Sequence, residues 1–317
     1  MAYKTQGTSS NINDDGKITF SSDTTVYADG ISTFTVFPPM VGTVSGYTSG
    51  GDAPPNVNTI DKFPFATDAN ATDVGDLTQG RYYLAGQSSQ ENGYTSGGLS
   101  TSSNVNTIDK FAFAADANAT DVGDLTQARQ RAAGQSSSEN GYTSGGGPPS
   151  TATIDKFPFA TDANATNVGD LTQARYGPAG QSSTENGYSS GGLSTNTIDK
   201  FPFATDANAT DVGDLTQARF GSAGQSSNEN GYTSGGFFPT TDIIDKFPFA
   251  TDANATDVGD LTQIKRYAAG QSSTENGYSS GGLSTNTIDK FPFATDANAT
   301  DVGDLTQARF GSAGQQD

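Results

Sequence analysis

The chain has 317 residues, of which 32% are hydrophobic, and its formal net charge at pH 7 is −19. It contains no cysteine, histidine or tryptophan, which excludes disulfides, thiol nucleophiles, imidazole bases and the usual zinc, copper and haem ligands. The acidic charge argues against nucleic acid as a partner, and no apolar run is long enough to cross a bilayer. We therefore expect no metal, no cofactor, no nucleic-acid partner and no membrane insertion.

Residues 1–45 differ from the rest of the chain and form the first predicted segment. Short β-branched and aromatic runs at Lys17–Phe20, Thr25–Tyr27 and Thr33–Phe37 are separated by Asp- and Gly-containing turns, which indicates two or three short strands. So few strands cannot bury a core of their own. We expect this segment to be a β arm for anchoring or oligomerisation that packs on the rest of the chain, on sister chains or on a larger assembly.

Residues 46–317 are built from a repeated unit. The hexapeptide Gly-Tyr-(Thr/Ser)-Ser-Gly-Gly occurs six times, and Ile-Asp-Lys-Phe also occurs six times at intervals of 44 to 48 residues, beginning at Ile60, Ile108, Ile154, Ile198, Ile244 and Ile288. This period suits a four-stranded propeller blade and is too long for a leucine-rich repeat.

Each unit contains the signals for four strands. The segment Arg219–Ser226 has small residues for a crowded innermost strand, and the Asn-Gly that follows it predicts a hairpin. The second strand is Gly231–Gly235. In the preceding unit, Thr197–Phe203 predicts the third strand and Val212–Leu215 a short outer strand.

The two ends of the repeat region predict how the ring closes. The first unit begins at its second strand, at Gly46, whereas the last unit ends with a surplus first strand at Phe310–Gln315. Pairing these two segments would complete one blade and leave no open sheet edge. The sequence therefore predicts an all-β, six-bladed propeller of four-stranded blades, with an N-terminal β arm.

The repeat resembles kelch-type propellers of the galactose oxidase central-domain superfamily. The residues that carry the resemblance are Leu215 followed by Arg219, an aromatic residue before a double glycine (Tyr232, Gly235, Gly236), and the Ile244–Phe247 strand. The chain departs from the family in lacking the outer-strand Trp, in having Gly80 before Arg81, and in having Lys265 in place of Arg. The fold alone is compatible with a scaffold, an adhesin or an enzyme.

A second resemblance is to repeat proteins encoded by marine bacteriophages. It depends on the near-identical units and their Asn-Ala-Thr-Asp-Val-Gly-Asp-Leu segment. This resemblance implies a virion-associated or adhesive protein located on the particle, whose residues 1–45 contact other virion proteins or other copies of the chain.

Six basic residues and several acidic ones recur in structural positions. The basic residues lie where strand four leads into strand one, and we expect them near the axis, each paired with an Asp such as Asp214 or Asp199 and joining neighbouring blades; an anion site is the alternative. They are Arg81, Arg129, Arg175, Arg219, Lys265 and Arg309.

The Asp and Lys of Ile-Asp-Lys-Phe are expected to be a solvated structural pair. The outer turn with Asp206, Asn208 and Asp211 is expected to be turn structure, although its oxygen-rich composition would also suit calcium.

The units differ from one another mainly in two connections. In a blade of alternating strands, the four-to-one and two-to-three connections emerge on the same face, and here they are rich in Tyr, Phe and Arg, which are enriched in binding hot spots. Drift in loops that tolerate change is the alternative explanation. The predicted ligand-binding face comprises Tyr82, Tyr83, Gln130, Arg131, Tyr176, Phe220, Phe237, Phe238, Arg266, Tyr267 and Phe310.

These observations lead to a ranked set of functions. We expect a non-enzymatic propeller, attached to a phage particle through its arm, that binds a host surface glycan or protein through the variable face. One alternative is a purely structural virion component; another is an enzyme that acts on polysaccharide. Galactose oxidase chemistry needs His and Cys beside copper, and both residue types are absent.

Overall fold

The chain divides into two compact units, residues 1–39 and 40–317. The computed structural model describes residues 10–12, 18–20, 26–28, 32–34, 42–193, 195–283 and 285–317. In the first unit, β1 (Ser10–Ile12) pairs antiparallel with β2 (Ile18–Phe20), and β3 (Val26–Ala28) with β4 (Ser32–Phe34). The strand β2 falls within a predicted run, β3 and β4 overlap the other two runs, and β1 was not predicted. The packing of the arm that we predicted lies outside the described residues.

The second unit is a six-bladed β-propeller of four-stranded antiparallel blades, as predicted. No helix in the described part of the chain is long and apolar enough to cross a membrane. The strands are β5 (Ser45–Gly51), β6 (Val57–Pro64) and β7 (Thr72–Asp76) in blade 1; β8 (Ala85–Ser88), β9 (Asn92–Ser96), β10 (Thr107–Ala112) and β11 (Thr120–Asp124) in blade 2; β12 (Ala133–Ser136), β13 (Asn140–Ser144), β14 (Thr151–Pro158) and β15 (Thr166–Arg175) in blade 3; β16 (Ala179–Ser182), β17 (Asn186–Ser190), β18 (Thr197–Pro202) and β19 (Thr210–Asp214) in blade 4; β20 (Ala223–Ser226), β21 (Asn230–Ser234), β22 (Ile243–Pro248) and β23 (Thr256–Asp260) in blade 5; and β24 (Ala269–Ser272), β25 (Asn276–Ser280), β26 (Thr287–Pro292) and β27 (Thr300–Asp304) in blade 6.

The ring closes by pairing distant parts of the chain. The last strand, β28 (Ala313–Gln316), pairs antiparallel with β5, with Ala313 opposite Ser49 and Gln316 opposite Gly46. The side chain of Asp317 then accepts a hydrogen bond from the backbone N–H of Ser45 at 2.6 Å. This confirms the predicted closure, in which the surplus first strand completes blade 1.

A ring of glycines lets the six innermost strands meet at the axis. A Cβ added to Gly180 would lie 2.2 Å from the carbonyl oxygen of Gly134, and the same close approach recurs between all neighbouring blades. Only glycine brings the backbones this close. The glycines are Gly86, Gly134, Gly180, Gly224, Gly270 and Gly314.

The hydrophobic core is divided among the six interfaces between blades. In one of them, Tyr188, Ile198 and Leu215 of blade 4 are buried against Phe247 of blade 5. The Tyr188 ring also stacks on Phe249 with a centroid distance of 4.8 Å. Because every apolar cluster takes residues from two blades, a single blade has no core of its own, as is general in repeat folds.

A buried ion pair crosses each interface between blades. Arg175, at the end of β15, lies 2.7 Å from Asp199 on β18 of the next blade, and both side chains are fully buried. Asp199 also accepts hydrogen bonds from the backbone N–H and the hydroxyl of Thr172. The equivalent pairs are Arg81–Asp109, Arg129–Asp155, Arg219–Asp245, Lys265–Asp289 and Arg309–Asp61.

Two expectations about charged residues were therefore wrong. The Asp of Ile-Asp-Lys-Phe is not a solvated partner of its neighbouring Lys, because it is buried with an Arg or Lys of the preceding connection. The Lys instead contacts the next blade at the surface, as in Lys200–Asp252 at 2.5 Å. Asp214 is not the partner of a basic residue; its backbone N–H donates to Asn254 of the next blade at 3.1 Å.

The outer turns are held by local hydrogen bonds. Asp211 accepts from the backbone N–H of Gly213 at 3.1 Å, and its counterparts in the other units do the same. Across the described ranges, no group of three His, Cys, Asp or Glu side chains is arranged to hold a metal ion.

We predict that Asp199 and Asp252, which both pair with a cation, contribute very differently to the free energy of unfolding. Asp199→Asn leaves the Arg175 guanidinium buried without a counter-charge, which should lower the free energy of unfolding by about 3–5 kcal/mol. Asp252→Asn removes an exposed pair and should cost less than about 1 kcal/mol. Urea denaturation of both variants measures this, and equal effects would contradict the role assigned to the buried pair.

Ionisation of the core tyrosines should destabilise the folded protein at alkaline pH. Burial raises the pKa of Tyr94, Tyr142, Tyr188, Tyr232 and Tyr278 to about 12, whereas the unfolded chain ionises them near pH 10. The folded state therefore holds these protons more tightly, so this part of the stability is complete below pH 10 and is lost as the pH rises towards 12. Phenolate absorbance should titrate later in the folded protein than in urea; coincident curves would contradict this.

Candidate functional site

The structure brings the two variable connections of each blade together on one face. Tyr82, which precedes β8, forms an antiparallel bridge with Leu99 in the β9–β10 connection, and Phe220 does so with Phe237. Blades 1 and 3 contain the same bridge, between Asp52 and Phe310 and between Gln130 and Gly147. The variable residues therefore line one end of the axis as a single surface.

The large side chains of this surface form a continuous cluster, which we call the aromatic mouth. Tyr83 lies 4.5 Å from Tyr82 and 4.9 Å from Tyr267 between ring centroids. Phe220 lies 6.0 Å from Tyr267 and 5.5 Å from Phe237. The mouth consists of Tyr82, Tyr83, Arg131, Tyr176, Phe220, Phe237, Phe238, Arg266, Tyr267 and Phe310.

A ring of backbone hydrogen bonds supports the mouth around the axis. The second residue after each buried Arg or Lys donates its N–H to the carbonyl of the equivalent residue in the preceding blade, with N···O distances of 2.5–2.9 Å. This geometry requires a left-handed backbone, with φ between 54° and 72° at all six positions. The residues are Tyr83, Arg131, Gly177, Gly221, Tyr267 and Gly311.

Half of this ring is occupied by residues that are strained there. Glycine adopts positive φ without penalty, but a non-glycine residue in the left-handed region costs about 1–2 kcal/mol. Tyr83, Arg131 and Tyr267 accept this cost although the other three units have glycine. Among the residues that the structure describes, one other non-glycine residue has positive φ, Phe238, which is 67% exposed on the same face.

Arg131 lies at the centre of the mouth. Its guanidinium carbon is 3.7 Å from the Tyr83 ring centroid, 4.7 Å from Tyr176 and 4.9 Å from Tyr267. Burial raises the pKa of Tyr83 to about 12, although the charge of Arg131 opposes the shift. Burial also raises the pKa of Tyr267. Tyr83 and Tyr267 are therefore neutral phenols at physiological pH, suited to hydrogen bonding and stacking.

Cavities lie along the axis behind the mouth. One of about 70 Å³ is lined by Tyr83, Arg131 and Tyr267 together with smaller residues such as Pro178 and Ser222. A second cavity of about 100 Å³ continues from it to the glycine ring. On the other side of that ring, the Gln and Ser residues of the innermost strands line a third cavity. The mouth thus opens into a cavity that could accept one small group of a ligand.

The remaining predicted residues occupy different places. Gln130 is buried beside the mouth, and its side-chain Oε1 has no hydrogen-bond partner. The six basic residues of the inter-blade pairs are buried behind the surface and do not line the axial cavities. Their ring is therefore closed to an external anion.

Sequence reasoning missed some features of this face. Leu193 and Ile264 are more than half exposed in the same two kinds of connection. The left-handed ring was also missed, although the occurrence of Gly177, Gly221 and Gly311 at one repeat position was a usable signal for positive φ.

The chain enters the propeller at the opposite face. Gly42 donates its backbone N–H to Ser272, the last residue of β24. The first residue of that strand, Ala269, lines the cavity on the mouth side. Gly42 therefore lies at the face of the uniform Ser-Ser-x-Glu-Asn-Gly turns, opposite the mouth.

Comparison with models of known protein families gave no match to this chain. A search of curated proteins likewise gave no match. The function is therefore argued from the geometry of the mouth.

Proposed function

We propose that the protein is a non-enzymatic binding protein that uses the aromatic mouth to attach to a host surface. The observation that carries this proposal is the strain at Tyr83, Arg131 and Tyr267. Strained residues persist where function requires their side chains, and here three sister units show that the fold accepts glycine. Drift alone does not explain why strained non-glycine residues stand at three of six equivalent positions where glycine is unstrained.

The chemistry of the mouth favours binding over catalysis. Tyr83 and Tyr267 have raised pKa values, so neither is activated as a nucleophile in the way that a lowered pKa would allow. Aromatic rings and arginines gathered around a cavity are instead typical of binding hot spots.

The setting that we propose is a phage particle, with residues 1–45 contacting other virion proteins. It rests on the resemblance of the near-identical units to repeat proteins of marine bacteriophages. The position of Gly42 at the uniform face supports it, because a protein anchored from that side would present its mouth outward. If the arm joins several copies, weak sites would bind together with higher avidity.

A triple variant tests the proposal without disturbing the fold. Tyr83→Gly, Arg131→Gly and Tyr267→Gly together make the ring resemble Gly177, Gly221 and Gly311, so relief of strain should offset the lost contacts. We expect an unfolding midpoint near that of the wild type and at least a tenfold loss of adsorption to host cells, since losses at hot spots exceed about 1 kcal/mol each.

The matched control is Thr184→Ala, which changes an exposed turn on the uniform face. It should leave both stability and adsorption unchanged. A folded triple variant that still adsorbs like the wild type would refute the proposal. Cross-linking of both faces to particle proteins would then favour the purely structural alternative.

A further inference from the structure

Two arginines in the mouth differ from every other basic residue that the structure describes. Twelve lysines and arginines of the propeller each lie within 3.5 Å of an Asp oxygen. Within the described ranges, only Arg131 and Arg266 have no such partner. The chain contains 35 Asp and Glu residues, so the unpaired state of these two is not explained by a shortage of acids.

Both unpaired arginines are held against aromatic rings. Arg131 lies over Tyr83, Tyr176 and Tyr267, and Arg266 lies 4.7 Å from the Phe237 centroid. The Nε of Arg131 is buried without a hydrogen-bond acceptor, as is the Nε of each arginine of the inter-blade pairs, but Arg131 alone among these arginines has no Asp beside its guanidinium. Stacking fixes the plane of a guanidinium, which leaves its N–H groups in a fork that matches a carboxylate.

The acidic residue at the rim of the mouth does not neutralise the charge of Arg131. Asp52 lies at the rim, where its charge adds to burial in raising the pKa of Tyr82, but it forms no ion pair with Arg131. The net charge of −19 repels densely charged polyanions at long range. A ligand with isolated carboxylates escapes most of that repulsion and still meets Arg131 at short range.

We propose that the ligand of the mouth is a carboxylated sugar of the uronic acid type, borne on an acidic polysaccharide. This assignment rests on the proposed function. The carboxylate accepts hydrogen bonds from Arg131, and the sugar ring packs on the tyrosine faces beside it. The cavity of about 70 Å³ behind the mouth receives the carboxylate group.

The test compares two probes that differ in charge. A tetrasaccharide with one glucuronic acid residue among neutral glucose residues, and the corresponding neutral glucose tetrasaccharide, are titrated into the full chain and followed by calorimetry. We expect the acidic probe to bind at least tenfold more tightly. Arg131→Gln should reduce this preference by about tenfold to a hundredfold, because a hydrogen bond to a charged group is lost, and Arg131→Lys should restore part of it.

The variant Asp52→Asn should change the affinity for the acidic probe in the opposite direction. It removes a negative charge from the rim, so it should tighten binding of the acidic probe and leave the neutral probe unchanged. Thermal unfolding of Asp52→Asn and of Arg131→Gln checks that both variants are folded. If Arg131→Gln fails to fold, Arg131→Gly replaces it, because three units already carry glycine at this position.

The outcomes separate this inference from the proposed function. Equal binding of both probes, absence of binding to either, or an unchanged preference in Arg131→Gln would overturn the sugar assignment, while host adsorption by the wild type and its loss in the triple glycine variant would still support attachment. Equally tight binding of a tetraglutamate peptide would also overturn it, since charge alone would then suffice.

Discussion

The buried ion pair between neighbouring blades is the interaction on which the rest of the propeller depends. Asp199 receives Arg175 together with the backbone and hydroxyl of Thr172, so one carboxylate orients the connection that arrives from the preceding blade. Removing one partner of such a pair leaves the other charge buried and uncompensated. The apolar clusters have the same dependence, because the Tyr of one blade stacks on a Phe of the next. No blade is therefore a stable unit, and the ring must close on itself.

This dependence explains why most repeat positions are invariant within the chain while two connections vary. A change at Tyr188, Asp199 or the glycine ring affects an interface on which two blades rely. The connections at the mouth lie beyond those interfaces, so they can change without opening the ring. Variation is thereby confined to one face, and the large side chains that accumulate there meet around the axis.

The basic residues that the structure describes in the propeller fall into three groups: buried pairs between blades, surface pairs between blades, and two unpaired arginines at the mouth. The buried cations each pair with an Asp and also donate hydrogen bonds to backbone carbonyls, as in the contacts of Lys265 with Ser279 and Thr287. The lysines of the third strands link blades at the surface, where a pair contributes little. Arg131 and Arg266 contribute to neither set. Their charge is free to act on a ligand, in a position where stacked rings limit its motion and reduce the entropy lost on binding.

The local pattern of the sequence was enough to predict the six four-stranded blades and the closure through the last strand, because Asn-Gly turns, double glycines and a period of 44 to 48 residues act within one unit. It also placed the variable residues on a common face, since strand alternation determines where each connection emerges. The partners of the charged residues needed the tertiary structure: Asp199 is adjacent in sequence to Lys200 but is buried beside Arg175, which only the packing of two blades decides. The left-handed ring was likewise decided by hydrogen bonds between blades, which impose one backbone conformation on glycine, tyrosine and arginine alike.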